Sequence, residues 1–249
     1  LVLQRGRTLG RPPHPRWRPG QELPPPWAGA PRSVPLDPAA LGPRRCYPLV
    51  ISSVVPRPIA LVSSVSSEGV RNLAPFSYFT AFHDPPCVVL CICRSGARGG
   101  AKKDSLLNIE SSGEFCVSII SDWYLEGANH TCGNFDPEVD EWDLSGLHGT
   151  PADLVGPERV AEAAISFECR LKHNTEMVGL EGKPSCNMVV GEIVRFHIQE
   201  HVLATTPNGS PYARLDALRP ISRLGGNTYG RSLECFDLPR PDRNWQDKK

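Results

Sequence analysis

Hydrophobic and polar positions alternate with a period of two through much of the middle of the chain. In Ile59–Ser66, residues Ile59, Leu61, Ser63 and Val65 share one face, and Ser67-Glu68-Gly69 supplies turn chemistry. A second strand is predicted over about 70–82, with Phe76, Tyr78, Thr80 and Phe82 on one side, so the two read as a hairpin. Asp84-Pro85-Pro86 breaks the pattern. The run Cys87–Cys93 is almost wholly apolar and predicts a strand buried on both faces. Phe115–Ile120, Ala163–Leu171 and Met188–Ile198 predict three more strands, and Gly191 inside the last marks a bulge or a barrel corner. A short helix is expected after a cap at Asp104 or Ser105, with Leu106, Leu107 and Ile109 as its apolar face and Gly113 as its stop. A weaker helical pattern covers about 122–128. Six or more strands at hairpin spacing with few helices predict a closed antiparallel β-barrel, since closure removes exposed sheet edges.

Composition divides the chain unevenly. Residues 1–45 hold eleven prolines and eight arginines against Glu22 and Asp37. Such a segment buries too little apolar surface to offset its ordering entropy, so a disordered Pro/Arg-rich extension is expected over 1–45. Its arginines and scarce acids fit a mitochondrial transit segment, but its prolines oppose an amphipathic helix. The ordered domain is expected over 46–237, with a flexible polar tail over 238–249. The formal net charge of the 249 residues is zero. This removes overall basicity as a sign of nucleic acid or membrane binding, and no apolar run approaches the roughly 18 residues of a membrane span. Nine cysteines occur without any Cys-x-x-Cys, some of them inside apolar strands. Free thiols in a reducing compartment are therefore expected, and the cytoplasm is the expected location. Two sequons, at Asn129 and Asn208, read as chance matches.

Two places carry chemistry. The run Arg94-Ser-Gly-Ala-Arg98-Gly-Gly-Ala-Lys102-Lys103-Asp104-Ser105 joins a strand end to a helix start through glycines. Free N–H groups, the helix dipole and four cations there suit an anion, and a solvated basic loop is the competing reading. Neither a P-loop nor a Gly-x-Gly-x-x-Gly opening is present. The second place is the hairpin, where Ser63, Ser64, Asn72 and Ser77 interrupt apolar strands and Pro75 removes a ladder donor. A polar, aromatic-flanked kink suits a flat heteroaromatic ligand. Surface serines beside a core aromatic cluster are the alternative. His130, Cys132 and His148, or His197 and His201, raise metal binding. On a strand, however, His197 and His201 lie about 13 Å apart, and no metal site is expected. The acidic run 136–143 reads as a surface loop anchored by Trp142.

The ordered set Pro56-Arg-Pro-Ile-Ala-Leu-Val-Ser-Ser, Asn72-Leu-Ala-Pro-Phe-Ser-Tyr-Phe, Asp84-Pro-Pro, Lys103-Asp-Ser-Leu-Leu-Asn-Ile-Glu, Val139-Asp-Glu-Trp, Gly191-Glu-Ile-Val-Arg-Phe-His and Arg219-Pro-Ile-Ser-Arg-Leu-Gly-Gly resembles the flavin reductase-like proteins from Tyr47 to about Phe236. The resemblance implies an antiparallel FMN-binding split β-barrel of Greek-key type. It implies a homodimer with one FMN per subunit near the interface. Ser63, Ser64 and the segment Asn72, Ala74, Pro75, Ser77, Tyr78 and Phe79 would border the flavin. Lys103, Asp104 and Ser105, with Arg94 or Arg57, would hold the 5′-phosphate, and Tyr229 would approach from the C-terminal segment. NAD(P)H is the implied co-substrate, passing electrons through FMN to a small-molecule acceptor. A flavin-holding electron carrier without such turnover is the alternative. No catalytic side chain is implied. Against the family pattern, Ser105 stands for threonine, His83 replaces a small residue and would narrow the flavin entrance, and the loop from Asn208 to Arg214 is altered.

Overall fold

A computed structural model describes residues 10–23, 33–232 and 234–241. Two helices lead in, α1 (Pro38–Leu41) and α2 (Pro43–Ser53). Strands β1 (Arg57–Pro58), β2 (Ala60–Val65), β3 (Arg71–Phe76), β4 (Phe79–His83) and β5 (Pro86–Cys93) follow. Helix α3 (Asp104–Ser112) and strand β6 (Glu114–Ile119) come next. A 3-10 turn (Asp122–Tyr124), α4 (Leu125–His130) and α5 (Glu141–Ser145) precede the short pair β7 (Gly149–Thr150) and β8 (Arg159–Val160). The long strands β9 (Ile165–Val178) and β10 (Pro184–Ile198) are followed by β11 (Leu203–Thr205), β12 (Pro211–Ala213), α6 (Leu215–Leu218), β13 (Ile221–Gly225) and β14 (Thr228–Arg231).

Seven strands form one antiparallel sheet in the order β3-β2-β6-β9-β10-β5-β4. Its two edge strands, β3 and β4, are consecutive in the chain and separated only by Ser77 and Tyr78. Laid flat, seven strands would place those edges about 29 Å apart. The three peptide steps between Phe76 and Phe79 reach about 11 Å. The sheet must therefore curl until its edges meet, which makes a barrel with one seam. This also explains why the strand predicted over about 70–82 is broken. Pro75 lies in an edge strand, where its missing donor costs no ladder bond on the open side.

Two cores result. Ala60 and Val62 face the barrel interior with Val88, Leu90, Ile92, Leu106, Ile109, Phe115, Val117 and Val189. Ile59 and Leu61 face the other way and pack with Leu73, Ile120, Tyr124, Trp142 and Ile221. Strand β2 is thus buried on both faces. Strand β5 is not, contrary to expectation: Val88, Leu90 and Ile92 are fully buried, whereas Val89 and Cys91 are half-buried and Cys93 is exposed. Its apolar sequence fills one face of the barrel and leaves the other outward.

The hairpin β2–β3 forms in the expected register, from Ala60 opposite Phe76 to Val65 opposite Arg71. Gly191 lies at a register shift between β9 and β10, and a Cβ there would lie 2.3 Å from Cζ of the fully buried Phe115. Gly191→Val is expected to cost about 1–3 kcal/mol or more by overpacking, read as a lower urea midpoint. Helix α3 ends at Gly113, which takes the left-handed conformation at φ 72°. Its start differs from expectation. Lys103 occupies the cap without a side-chain cap bond, and Asp104 is already helical. Leu107 is exposed, so the buried face is Ser105, Leu106, Asn108 and Ile109. Residues 38–45, expected to be part of the extension, are mostly helical, although Ile51 alone of α1 and α2 is buried. Residues 1–9, 24–32 and 242–249 lie outside the described residues, as does Leu233. No helix among the described residues is long and apolar enough to cross a membrane.

Candidate functional site

The glycine loop after β5 carries four cations, and the structure assigns three of them to carboxylates. Arg94 pairs with Glu176 of β9, Arg98 makes a two-pronged contact with Asp104, and Lys102 Nζ lies 2.7 Å from Glu110. Lys103, half-buried, has no ion-pair partner among the described residues, and its ammonium sits 5.7 Å from the centre of the Phe76 ring. It stands where the first-turn N–H groups of α3 are uncapped, so charge and dipole coincide. Behind it, the Ser105 hydroxyl is buried and accepts a 2.9 Å hydrogen bond from Asn72 Nδ2.

These groups open into a cavity of about 210 Å³ lined by Asn72, Ala74, Pro75, Lys103, Asp104 and Ser105, with Arg98 and the segment Thr131–Asp136 opposite. A second cavity of about 130 Å³ is lined by Ile59, Pro75, Ser77, Ile120, Leu125, Ala128, Arg223 and Tyr229. Pro75 and Cys132 border both, so the two cavities adjoin as neighbouring lobes. One lobe is polar, with hydroxyls of Ser95, Ser105 and Thr131, the carboxylates Asp104, Asp136 and Glu141, and Lys103 as a cation not paired to any of them, and the other has apolar walls with Arg223 and Asn129 at its Tyr229 side. The Tyr229 hydroxyl is bonded to the Asn129 side chain, and the Arg223 guanidinium stacks 4.4 Å from its ring centre. A molecule with an anionic tail and a flat apolar ring system matches this polarity.

Of the residues expected at the site, Asn72, Ala74, Pro75, Ser77, Lys103, Asp104, Ser105 and Tyr229 line the cleft. The others do not. Arg57 is buried and donates to the carbonyls of Ile51 (2.6 Å) and Val54 (2.7 Å), holding the end of α2. Arg94 is turned toward the β9–β10 hairpin. The Ser63 hydroxyl donates to the Glu158 carbonyl, and the Ser64 hydroxyl accepts from Asn108 Nδ2 at 3.1 Å, so both tie β2 to its neighbours. Tyr78 and Phe79 sit at the barrel seam, where burial pushes the Tyr78 hydroxyl above its ordinary value. His83 pairs with Pro86 at the far end of β4 and does not narrow the cleft.

Glu141 was hidden in an acidic run that reads as surface. It is buried, accepts the Leu73 N–H at 2.9 Å, and lines the polar lobe. Burial raises its carboxyl above the ordinary range despite that hydrogen bond. Trp142 beside it is buried in the second core, as expected of an anchor. Arg98 and the Thr131–Asp136 segment were also missed as cleft residues. The only local signal is a polar, glycine-containing stretch, which most surface loops share.

One group of metal-ligating type occurs among the described residues. Asp153, Glu168 and His197 bring ligand atoms within 4.8 Å of one another. Its geometry is that of a clamp. Glu168 is fully buried and accepts from Asp153 N, Leu154 N and His197 Nε2, while Arg195 pairs with Asp153 at 3.1 Å. Burial favours the neutral acid, but these donors outweigh it and hold the Glu168 carboxyl below its ordinary range. The ionised form therefore favours the fold. Its contribution is complete above the unfolded value of about 4.3 and is lost as pH falls toward the lower folded value. Urea midpoints measured downward from about pH 6 should fall more steeply for the wild type than for Glu168→Gln.

The sequence of the flavin reductase like domain matches residues 52–213 of the chain. The chain belongs to the flavin reductase-like family. A Halalkalibacterium halodurans protein described only as uncharacterized is 32% identical over 207 residues, covering 83% of this chain and 96% of that one. Among solved structures, nitrilotriacetate monooxygenase component B from Bacillus cereus is 33% identical with a TM-score of 0.77, covering 84% of this chain and 100% of that one. The 2-nitrobenzoate 2-nitroreductase of Pseudomonas fluorescens is 29% identical with a TM-score of 0.72, covering 84% of this chain and 98% of that one. A Shewanella frigidimarina protein with a split barrel domain has a TM-score of 0.68 at 19% identity, covers 81% of this chain and 95% of that one, and supports the fold alone. The barrel with one seam is thus the family's split barrel, and a flavin is the cofactor the family implies.

Proposed function

We propose that the two-lobed cleft binds FMN and that the protein is an NAD(P)H-dependent flavin reductase-like oxidoreductase. The observation that carries this reading is Lys103: a half-buried ammonium without a carboxylate, at an uncapped helix start, beside the buried Ser105 hydroxyl. A phosphate monoester completes that set through charge-assisted hydrogen bonds. One such cradle, continuous with one apolar lobe, suits a mononucleotide better than a dinucleotide. Bound FMN supplies two-electron acceptance from NAD(P)H and delivery of those electrons to a small-molecule acceptor. The chain's own residues bind and orient. Lys103 and Ser105 fix the phosphate, Asn72 orients the Ser105 hydroxyl, and Arg98 neutralises Asp104 so that its carboxylate does not repel the ligand. Pro75, Ile59, Ile120 and Tyr229 exclude water from the ring lobe. The relatives of stated activity, a monooxygenase component and a nitroreductase, support redox chemistry without fixing the acceptor.

A homodimer is part of this proposal. Tyr47, Leu49, Val50, Val54 and Val55 are left exposed on and just after α2, a concentration of apolar surface that a second copy would cover. Titration with FMN and FAD, followed by NADH and NADPH oxidation by the loaded protein, tests the reading. Tight FMN binding with turnover of either nucleotide is expected. FMN binding with neither nucleotide consumed would make the protein an electron carrier, and no FMN binding would remove the proposal altogether.

A further inference from the structure

The outward face of β5 gathers sulfur. Cys91 and Cys93 lie two residues apart on that strand and so project to the same side. Across the ladder, Cys93 is directly opposite Cys186 of β10, and Cys91 is opposite Met188. The Arg94 N–H donates to the Ser185 carbonyl at 2.9 Å, immediately beside the Cys93/Cys186 pair. That bond joins the residue after Cys93 to the residue before Cys186, so the two cysteines form a non-hydrogen-bonded pair. In such pairs the Cα atoms lie about 4.5 Å apart and the side chains are closest, within the roughly 4.4–6.8 Å that a disulfide spans. The Cys91 thiol lies close enough to both Cys93 and Cys186 to interact with each. Cys93 is exposed, whereas Cys91 and Cys186 are half-buried.

We propose that Cys93 is a peroxide-reactive thiol, resolved by Cys186 into a cross-strand disulfide, with Cys91 as the hydrogen-bonding thiol between them. In the first step the Cys93 sulfur attacks the O–O bond of a hydroperoxide. An S–O bond forms, the O–O bond breaks, and the peroxide leaves as water or alcohol after taking a proton. Sulfur is oxidised by two electrons to the sulfenic acid, and the peroxide is reduced by two. In the second step the Cys186 sulfur attacks the Cys93 sulfur. The S–S bond forms, and the hydroxyl leaves as water with the Cys186 proton. The environment supports this order. Interaction with the Cys91 thiol pulls the Cys93 thiol down to about 7 against partial desolvation, with help from the Lys103 charge, and pushes Cys91 up in return. Cys93 is therefore the thiolate, and Cys91 stays protonated as the donor.

The test needs no bound flavin and reads thiols alone. The purified full-length protein is treated with stoichiometric hydrogen peroxide, then digested and mapped by mass spectrometry. A Cys93–Cys186 crosslink that dithiothreitol reverses is expected. Cys186→Ser should stop at a dimedone adduct on Cys93. Iodoacetamide should alkylate Cys93 several-fold faster at neutral pH than a free peptide cysteine, with a midpoint near 7 rather than the free-thiol value of about 8.5. Alkylation at the peptide rate, no crosslink in the wild type, or a crosslink through Cys91 instead of Cys186 would each overturn the proposal.

Discussion

Replacing Lys103 and Ser105 together by alanine is expected to weaken FMN binding by about 2–4 kcal/mol, since a charge-assisted hydrogen bond contributes about 1.5–3 kcal/mol and neighbouring losses do not add fully. The cause is specific to the phosphate, so riboflavin, which lacks it, should bind both proteins alike. Arg94→Ala supplies the contrast. Arg94 is committed to Glu176 and does not line the cleft, so FMN affinity should stay within a few-fold of wild type. Fluorescence titration of the flavin gives all three affinities. Unchanged FMN affinity in the double variant, or an equal loss with riboflavin, would show that the anion does not sit at the start of α3.

Trp142→Ala is expected to destabilise the protein by about 3–5 kcal/mol, the usual cost of removing a buried large aromatic side chain. Trp142 is 3% exposed and packs in the second core with Leu73 and Tyr124, and the Arg71 guanidinium lies 5.7 Å from its ring centre. Arg71 in turn pairs with Asp140 at 2.7 Å and Glu158 at 3.1 Å, so the tryptophan fixes a charged strap across the outside of the barrel. Its neighbour Glu141 bonds Leu73 N and lines the polar lobe. The variant should therefore lose FMN affinity as well as urea resistance, whereas Gly191→Val, which acts inside the barrel, should lose mainly stability. Denaturation midpoints alone would not distinguish the two variants. Measuring affinity as well does, and a Trp142→Ala protein with wild-type stability would contradict the anchor role.

Local pattern sufficed for most strands of the barrel, because a period of two and a turn such as Ser67-Glu68-Gly69 act over a few residues, but it ran β3 and β4 together across the seam. It sufficed for the stop of α3 at Gly113, where the left-handed conformation favours glycine, and for the bulge at Gly191. It also marked the candidate anion loop, because a glycine loop, a helix start and four cations are contiguous in the chain. Which of those cations remains unpaired could not be read locally. Glu176 and Glu110, on other elements, decide it for Arg94 and Lys102, while Arg98 is paired across a loop whose path only the fold sets. The family resemblance implies Arg57 as one of two alternative phosphate ligands, yet it holds the carbonyls that end α2. Glu141 looked like surface because its neighbours are acidic, and packing of Trp142 carried it inward. The sequence by itself determined the strands, the turns and the residue types at the anion loop, since these depend on neighbours along the chain. Only the tertiary structure decided which face of β5 stays open, that Arg94 is spent on Glu176, and that Tyr229 lines a cavity adjoining the one Lys103 lines, because each depends on residues scores of positions apart.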